Sequence, residues 1–242
     1  MRSTRLSFLF IVALNCTACL PVFSQQADAY SNQNKQLDMD LKGPYKEDQT
    51  FFNGRVWRNL YYKVREDQFL YSKVYLPGSV SIDGTTFRNV ELLYDIYTDE
   101  IITLTTKGAN LQLNKEMIDS FSIVFEGSRR YFFKVQADSV KGYKGYVNKL
   151  YDGKSSLNVK YKKEIELLAV DRKFDQFYQT HKVFYIKDSV INLVSNRRDL
   201  FLLFGEDKVA VKSYIKRNKL FFTVKKPESL VPVIRYYDSL KR

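Results

Sequence analysis

The strongest constraint in this sequence lies at residues 71–135, where short β-prone runs are separated by tight-turn signals. Val80-Ser81-Ile82 and Thr85-Thr86-Phe87 flank Asp83-Gly84. A two-residue type I′ loop needs φ > 0 at both central positions, and Asp-Gly adopts that at little cost, so the pair predicts a hairpin. Beyond it Val90, Leu92, Tyr94 and Ile96 alternate with other residues, which predicts a strand buried on one side. Phe87 falls on an odd position and the later apolar set on even ones. A β-bulge near Arg88-Asn89, opposite Pro77-Gly78, accounts for the change of parity. Thr98-Asp99-Glu100 and Lys107-Gly108 are further turns, and residues 120–125 pair with 131–135 around Gly127. Upstream, Val56, Leu60 and Tyr62 read as a partly alternating strand, with Trp57 packing at a core or domain edge.

Asp152-Gly153 marks a second hairpin of the same kind. With a two-residue loop, Tyr151 faces Lys154, Lys149 faces Ser156 and Val147 faces Asn158. One side then carries Tyr146, Leu150, Leu157, Val159 and Tyr161, a set to be buried. The other carries Lys149, Lys154, Lys160 and Lys162, with Tyr143 and Tyr151 beside them. This basic and aromatic face is the candidate binding surface. Residues 183–186 and 190–194 supply the last strands.

From Ser195 the pattern becomes helical. Asn196 or Ser195 caps a run through Phe204, and Gly205 ends it as a C′ residue does. Residues 207–217 form a second helix with Val211, Tyr214 and Ile215 on one side, and Asn218 stops it. Residues 220–224 are extended. Ser229 caps a final helix whose apolar residues Leu230, Val233, Ile234, Tyr237 and Leu240 keep three-four spacing, with Pro232 tolerated in the first turn. The expected fold is therefore α+β and mainly β: an antiparallel meander sheet, curved or half-barrel, followed by a small C-terminal helical segment. The expected divisions are 1–24 a signal peptide, 25–50 a flexible linker, 51–194 an antiparallel β domain and 195–242 a helical C-terminal appendage.

The signal peptide follows from Arg2 and Arg5, the apolar run 8–14, and Val22-Phe23-Ser24 before a cleavage point. The run is shorter than the ~20 apolar residues a membrane-spanning helix needs, and no later segment replaces it. The expectation is an exported protein of the periplasm or cell envelope that does not span the membrane. Both cysteines, Cys16 and Cys19, precede the cleavage point, so the processed chain has no thiol and no disulfide. Lipid attachment at Cys19, after Ala18, is the minor alternative.

With one histidine, His181, and no cysteine in the processed chain, thiol nucleophiles, cysteine-rich zinc sites and two-histidine metal motifs are excluded. No catalytic residue, metal ligand or cofactor is assigned, and His181 reads as an exposed or packing residue. Gly142, Gly145 and Gly153 form no phosphate loop, since no helix follows them. Glu91, Asp95, Asp99 and Glu100 lie close in sequence, but Glu91 and Asp95 alternate with apolar residues and read as a solvated sheet face. Charge is unevenly spread: 11 Lys and Arg stand against 15 Asp and Glu over residues 25–128, but 26 against 12 over residues 129–242. A basic C-terminal half suits an anionic partner, and outside the cytoplasm that means envelope lipid or glycan, or another envelope protein, rather than nucleic acid.

Leu76-Pro77-Gly78-Ser79-Val80, Asn89-Val90-Glu91-Leu92-Leu93-Tyr94-Asp95, Arg197-Arg198-Asp199-Leu200 and Tyr214-Ile215-Lys216 resemble segments of uncharacterised exported proteins of Bacteroidota type. That resemblance implies export and carries no activity or site. The expected function is a non-enzymatic envelope component with a binding or accessory role. The alternatives are a glycan hydrolase working through carboxylates, and a carrier holding an acyl chain in a curved sheet. A cleft with two facing carboxyls would mark the first, and a deep apolar pocket the second.

Overall fold

Asp83 and Gly84 have φ of 47° and 77°, and Ile82 pairs directly with Thr85, so the first hairpin closes with the two-residue loop its sequence demands. The structure, a computed structural model, describes residues 50–136, 140–167 and 174–240. The expected signal peptide and almost all of the expected linker lie outside the described residues.

The described strands form one antiparallel sheet. They are β1 (Gly54–Val56), β2 (Leu76–Ile82), β3 (Thr85–Asp95), β4 (Glu100–Leu104), β5 (Asn110–Leu113) and β6 (Ile118–Phe125). They continue as β7 (Ser128–Val135), β8 (Gly145–Asp152), β9 (Ser156–Glu166), β10 (Gln176–Lys187) and β11 (Val190–Val194). Their order is β1-β5-β4-β3-β2-β6-β7-β8-β9-β10-β11. The chain runs outward from β2 to β5, returns to place β6 on the far side of β2, and meanders outward again. Gly78 pairs with Val90 and Ser79 with Arg88, which leaves Asn89 (φ 55°) as the extra residue of a bulge. The parity change in the sequence is this bulge.

The sheet is open but strongly curled. β3 and β9 stand five places apart, yet Lys163 N donates to Ile96 O at 3.2 Å. Residues 65–70 hold the curl in place. Leu70 N donates to Tyr94 O and Ile96 N to Gln68 O, while Phe177 N donates to Arg65 O and Lys163 Nζ reaches Asp67. This corrects the expected strand at Val56, Leu60 and Tyr62. Only Gly54–Val56 is extended, and the three side chains are 67%, 76% and 73% exposed, so their alternation meets no surface to bury it.

The concave side is filled by aromatic rings. Phe121 and Phe132 stack at 4.6 Å, and Tyr94 meets both edge-on at 5.0 and 5.3 Å. Helices α1 (Arg197–Leu203), α2 (Lys208–Arg217) and α3 (Val231–Leu240) add Leu200, Phe204, Val211, Val233, Ile234 and Tyr237 to this same core. Asn196 is the cap of α1: it accepts from Arg198 N and Asp199 N, and Asp199 reaches back to the Asn196 N–H. Ser229 does not cap α3. A 3₁₀ turn, Pro227–Leu230, leads into that helix, and the Ser229 hydroxyl instead ties Thr223 to Lys226. Residues 220–224 make one isolated bridge, Thr223 to Lys226, and no strand: the Ser229 hydroxyl takes the Thr223 N–H, and the side chains of Arg197 and His181 meet the Phe222 and Val224 carbonyls.

The second Asp-Gly hairpin does not have the expected register. Asp152 pairs with Ser156, Tyr151 with Leu157 and Lys149 with Asn158, with an irregularity at Leu150. The physical cause is Asp238 of α3. Its carboxylate is buried and accepts from both the Ser155 N–H and the Ser155 hydroxyl at 2.8 Å, which draws Ser155 into a three-residue loop. The irregularity at Leu150 absorbs the shift, so Tyr146, Leu157, Val159 and Tyr161 still face the core.

Candidate functional site

The turn between β3 and β4 reaches the start of β8. Asp95 is buried and accepts from Tyr97 N (2.9 Å) and Thr98 N (3.0 Å), which winds the chain so that Asp99 (φ 61°) projects toward Gly145. Asp95 is thus not on a solvated face, and its burial raises its pKa above the usual carboxyl value.

Asp99 gathers four donors. Lys160 Nζ lies 2.6 Å and the Tyr94 hydroxyl 2.5 Å from one oxygen; Lys115 Nζ (3.1 Å) and the Tyr146 N–H (3.3 Å) reach the other. Burial alone would raise the Asp99 carboxyl, but the two ammonium groups and the hydroxyl hold it below its ordinary range. Gly145 makes this approach possible. A Cβ there would stand 1.9 Å from Asp99 Oδ2, and its φ is +72°. Gly145→Ala should therefore destabilise the protein by about 2 kcal/mol through strain and a displaced carboxylate, read as a lower midpoint in urea.

This ion cluster is the floor of a cleft of about 820 Å³ between the β3–β4 turn, residues 140–145 and the adjoining parts of β9 and β10. Among the described residues, seven lysines and three carboxylates line it. Lys115, Lys134 and Lys160 lie low in it, and the ammonium of Lys134 is held by the carbonyls of Lys115 and Glu116. Lys141, Lys144, Lys162 and Lys182 are more exposed. Each carboxylate is engaged by a lysine: Asp99 by Lys160 and Lys115, Glu116 by Lys134 (3.6 Å), and Glu164 by Lys162 (2.9 Å). Lys141, Lys144 and Lys182 have no carboxylate partner among the described residues. β9 and β10 set Lys160 directly opposite Lys182, an unfavourable pair in a plain sheet. Gly142 (φ +89°) gives the Lys182 chain room, since a Cβ would meet its Nζ at 2.7 Å.

The expected basic face is divided by the structure. Lys160 and Lys162 line the cleft. Lys149 pairs with Asp152 at 2.8 Å, and Lys154 lies exposed in the hairpin loop; neither lines the cleft. Tyr143 is buried against Phe184 and accepts from Asn158 Nδ2 at 2.7 Å. Tyr151 faces the core side, with Arg235 6.0 Å from its ring centre. Lys115, Lys134, Lys141, Lys144 and Lys182 were not singled out by the sequence. The run Lys141-Gly142-Tyr143-Lys144-Gly145 held a usable signal: closely spaced lysines beside glycines that admit other side chains. His181 also borders the cleft, and its Nε2 lies 2.9 Å from the Val224 carbonyl.

Of the four carboxylates close in sequence, Asp99 alone lines the cleft; Glu100 pairs with Arg55 at 3.5 Å. Among the described residues no helix is long and apolar enough to cross a membrane. No family model, curated protein or solved structure matches this chain.

Proposed function

We propose that this protein is a non-enzymatic binding component of the cell envelope that holds an anionic ligand in its lysine cleft. One observation carries the reading: among the described residues every carboxylate lining the cleft is in an ion pair with a lysine, while Lys141, Lys144 and Lys182 form no ion pair, the Lys182 ammonium donating only to the Lys141 carbonyl. Lysines gathered in a concave site focus their field and attract anions more strongly than the same charges spread over a surface. The envelope location rests on the charged and apolar start of the sequence and on the resemblance to exported Bacteroidota proteins. Two observations favour this reading over the alternatives: aromatic rings fill the core side of the sheet where an acyl chain would lie, and each described cleft carboxylate is held in an ion pair.

Thermal unfolding with and without inorganic tripolyphosphate at low ionic strength tests the proposal. A ligand that binds only the folded state raises the melting temperature. The wild-type midpoint should rise and the rise should shrink as salt is added, since the Debye length falls to about 8 Å at physiological ionic strength. With Lys141, Lys144 and Lys182 all changed to Glu, the rise should vanish. Each contact of this kind contributes up to about 1 kcal/mol, so losing three weakens binding about a hundredfold. A wild-type midpoint indifferent to the anion, or a triple variant that responds equally, contradicts the proposal.

A further inference from the structure

Resting on that anion-binding reading, we infer that the cleft ligand is a saccharide segment bearing several acidic groups, with Tyr97 as its aromatic platform. Three features point the same way. The first is size. A cleft of about 820 Å³ sits in the range of roughly 300–1,000 Å³ typical of small-molecule sites, and far exceeds what one small inorganic anion fills.

The second feature is the kind of cation. Among the described residues the charged basic lining is lysine throughout, with no arginine. Arginine presents a flat fork that fits a single carboxylate or phosphate with fixed geometry; lysine offers a compact charge on a flexible stem. Lysines disposed around an open cleft therefore suit several separated charges on one ligand better than one tightly gripped group. Lys134 pairs with Glu116, and Lys115 and Lys160 share the single charge of Asp99, so the low lysines keep one net positive charge beneath the more exposed Lys141, Lys144 and Lys182, which add theirs to the ligand's side of the cleft.

The third is Tyr97. It follows buried Ile96 at the corner of the Asp95–Asp99 turn and borders the cleft. Tyr61 and Phe177 pack edge-on against its ring, at 5.0 and 5.3 Å between centres, which holds the ring in place. A fixed ring beside flexible ammonium groups can cover the apolar face of a sugar while the charges meet its acidic substituents. A lipid tail finds no comparable space, because the concave core is occupied by Tyr94, Phe121, Phe132 and Tyr146.

The test is calorimetric titration of the whole protein with oligogalacturonate, with neutral malto-oligosaccharide of the same length, and with inorganic tripolyphosphate, together with co-sedimentation on phosphatidylglycerol vesicles. Oligogalacturonate should bind and the neutral oligosaccharide should not. Tyr97→Ala should weaken oligogalacturonate about tenfold and tripolyphosphate by clearly less, while Tyr97→Phe, which keeps the ring, stays near wild type. If tripolyphosphate binds but oligogalacturonate does not, the saccharide inference is overturned and the anion-binding reading stands. Capture by vesicles without binding of the free saccharide also overturns it, in favour of a lipid headgroup. If no anion binds at low ionic strength, the anion-binding reading fails as well. Equal weakening of both anions by Tyr97→Ala removes the platform role.

Discussion

Asp99→Ala lowers the stability of the protein by about 3–5 kcal/mol, because it leaves Lys160 buried without its counter-charge. The Asp99 and Lys160 side chains are only 18% and 14% exposed; in the same change the Tyr146 N–H loses its Asp99 acceptor and the Tyr94 hydroxyl keeps only the longer contact to the Tyr146 carbonyl at 3.4 Å. Urea denaturation measures the loss. Adding Lys160→Met to Asp99→Ala should recover a large part of it, since a stranded ammonium costs more than an absent pair. A single variant within about 1 kcal/mol of wild type would show that the cluster contributes little.

The pH dependence follows from the same group. The folded-state pKa of Asp99 lies below its ordinary 3.8, so its contribution is complete above that pH and is lost as pH falls through the lower folded value. Asp95 has the opposite sign. Its pKa is raised by burial, and protonation near and above pH 3.8 favours the folded state. Below about pH 4 the wild type should therefore lose stability more steeply than Asp99→Ala, and an equal slope would contradict the assignment.

Tyr237→Asp should destabilise by at least about 3 kcal/mol, through a charge placed where an aromatic ring is buried. Tyr237 is 2% exposed, stacks on Phe204 at 4.5 Å, and its hydroxyl accepts from Lys187 Nζ at 2.9 Å. The helical segment shares its core with the sheet through this ring, so the loss should appear in one cooperative transition. A separate early transition confined to the helices would contradict the shared core, as would a melting temperature within a degree of wild type.

The sheet was legible wherever a local rule fixed its geometry. Asp83-Gly84 and Glu126-Gly127 demand positive φ, and the shift in apolar parity at Asn89 required an extra residue. The turn at Asp188-Ser189 (φ 50° and 64°) lacks the glycine that announces such a loop. The Asp152-Gly153 register was misread because its determinant, Asp238, lies 83 residues from Ser155. No periodicity reports a partner at that distance. The same holds for the cleft. Lys160 and Lys162 were visible as alternating residues of one strand, and so was their sign. Their separation from Lys149 and Lys154 depends on the curl of the sheet and on the Asp99 turn reaching Gly145, which are tertiary facts. Asp95 read as a solvated residue because alternation records which side it faces, not what covers that side.

Lysine footprinting bears most directly on the cleft as the anion site. The protein is acetylated briefly with and without inorganic tripolyphosphate at low ionic strength, and modification at each lysine is read by mass spectrometry. Lys141, Lys144 and Lys182 should be protected by the anion, while Lys149 and Lys154 react equally in both samples. Protection centred on Lys149 and Lys154, or spread evenly over the surface lysines, would contradict the assignment of the cleft.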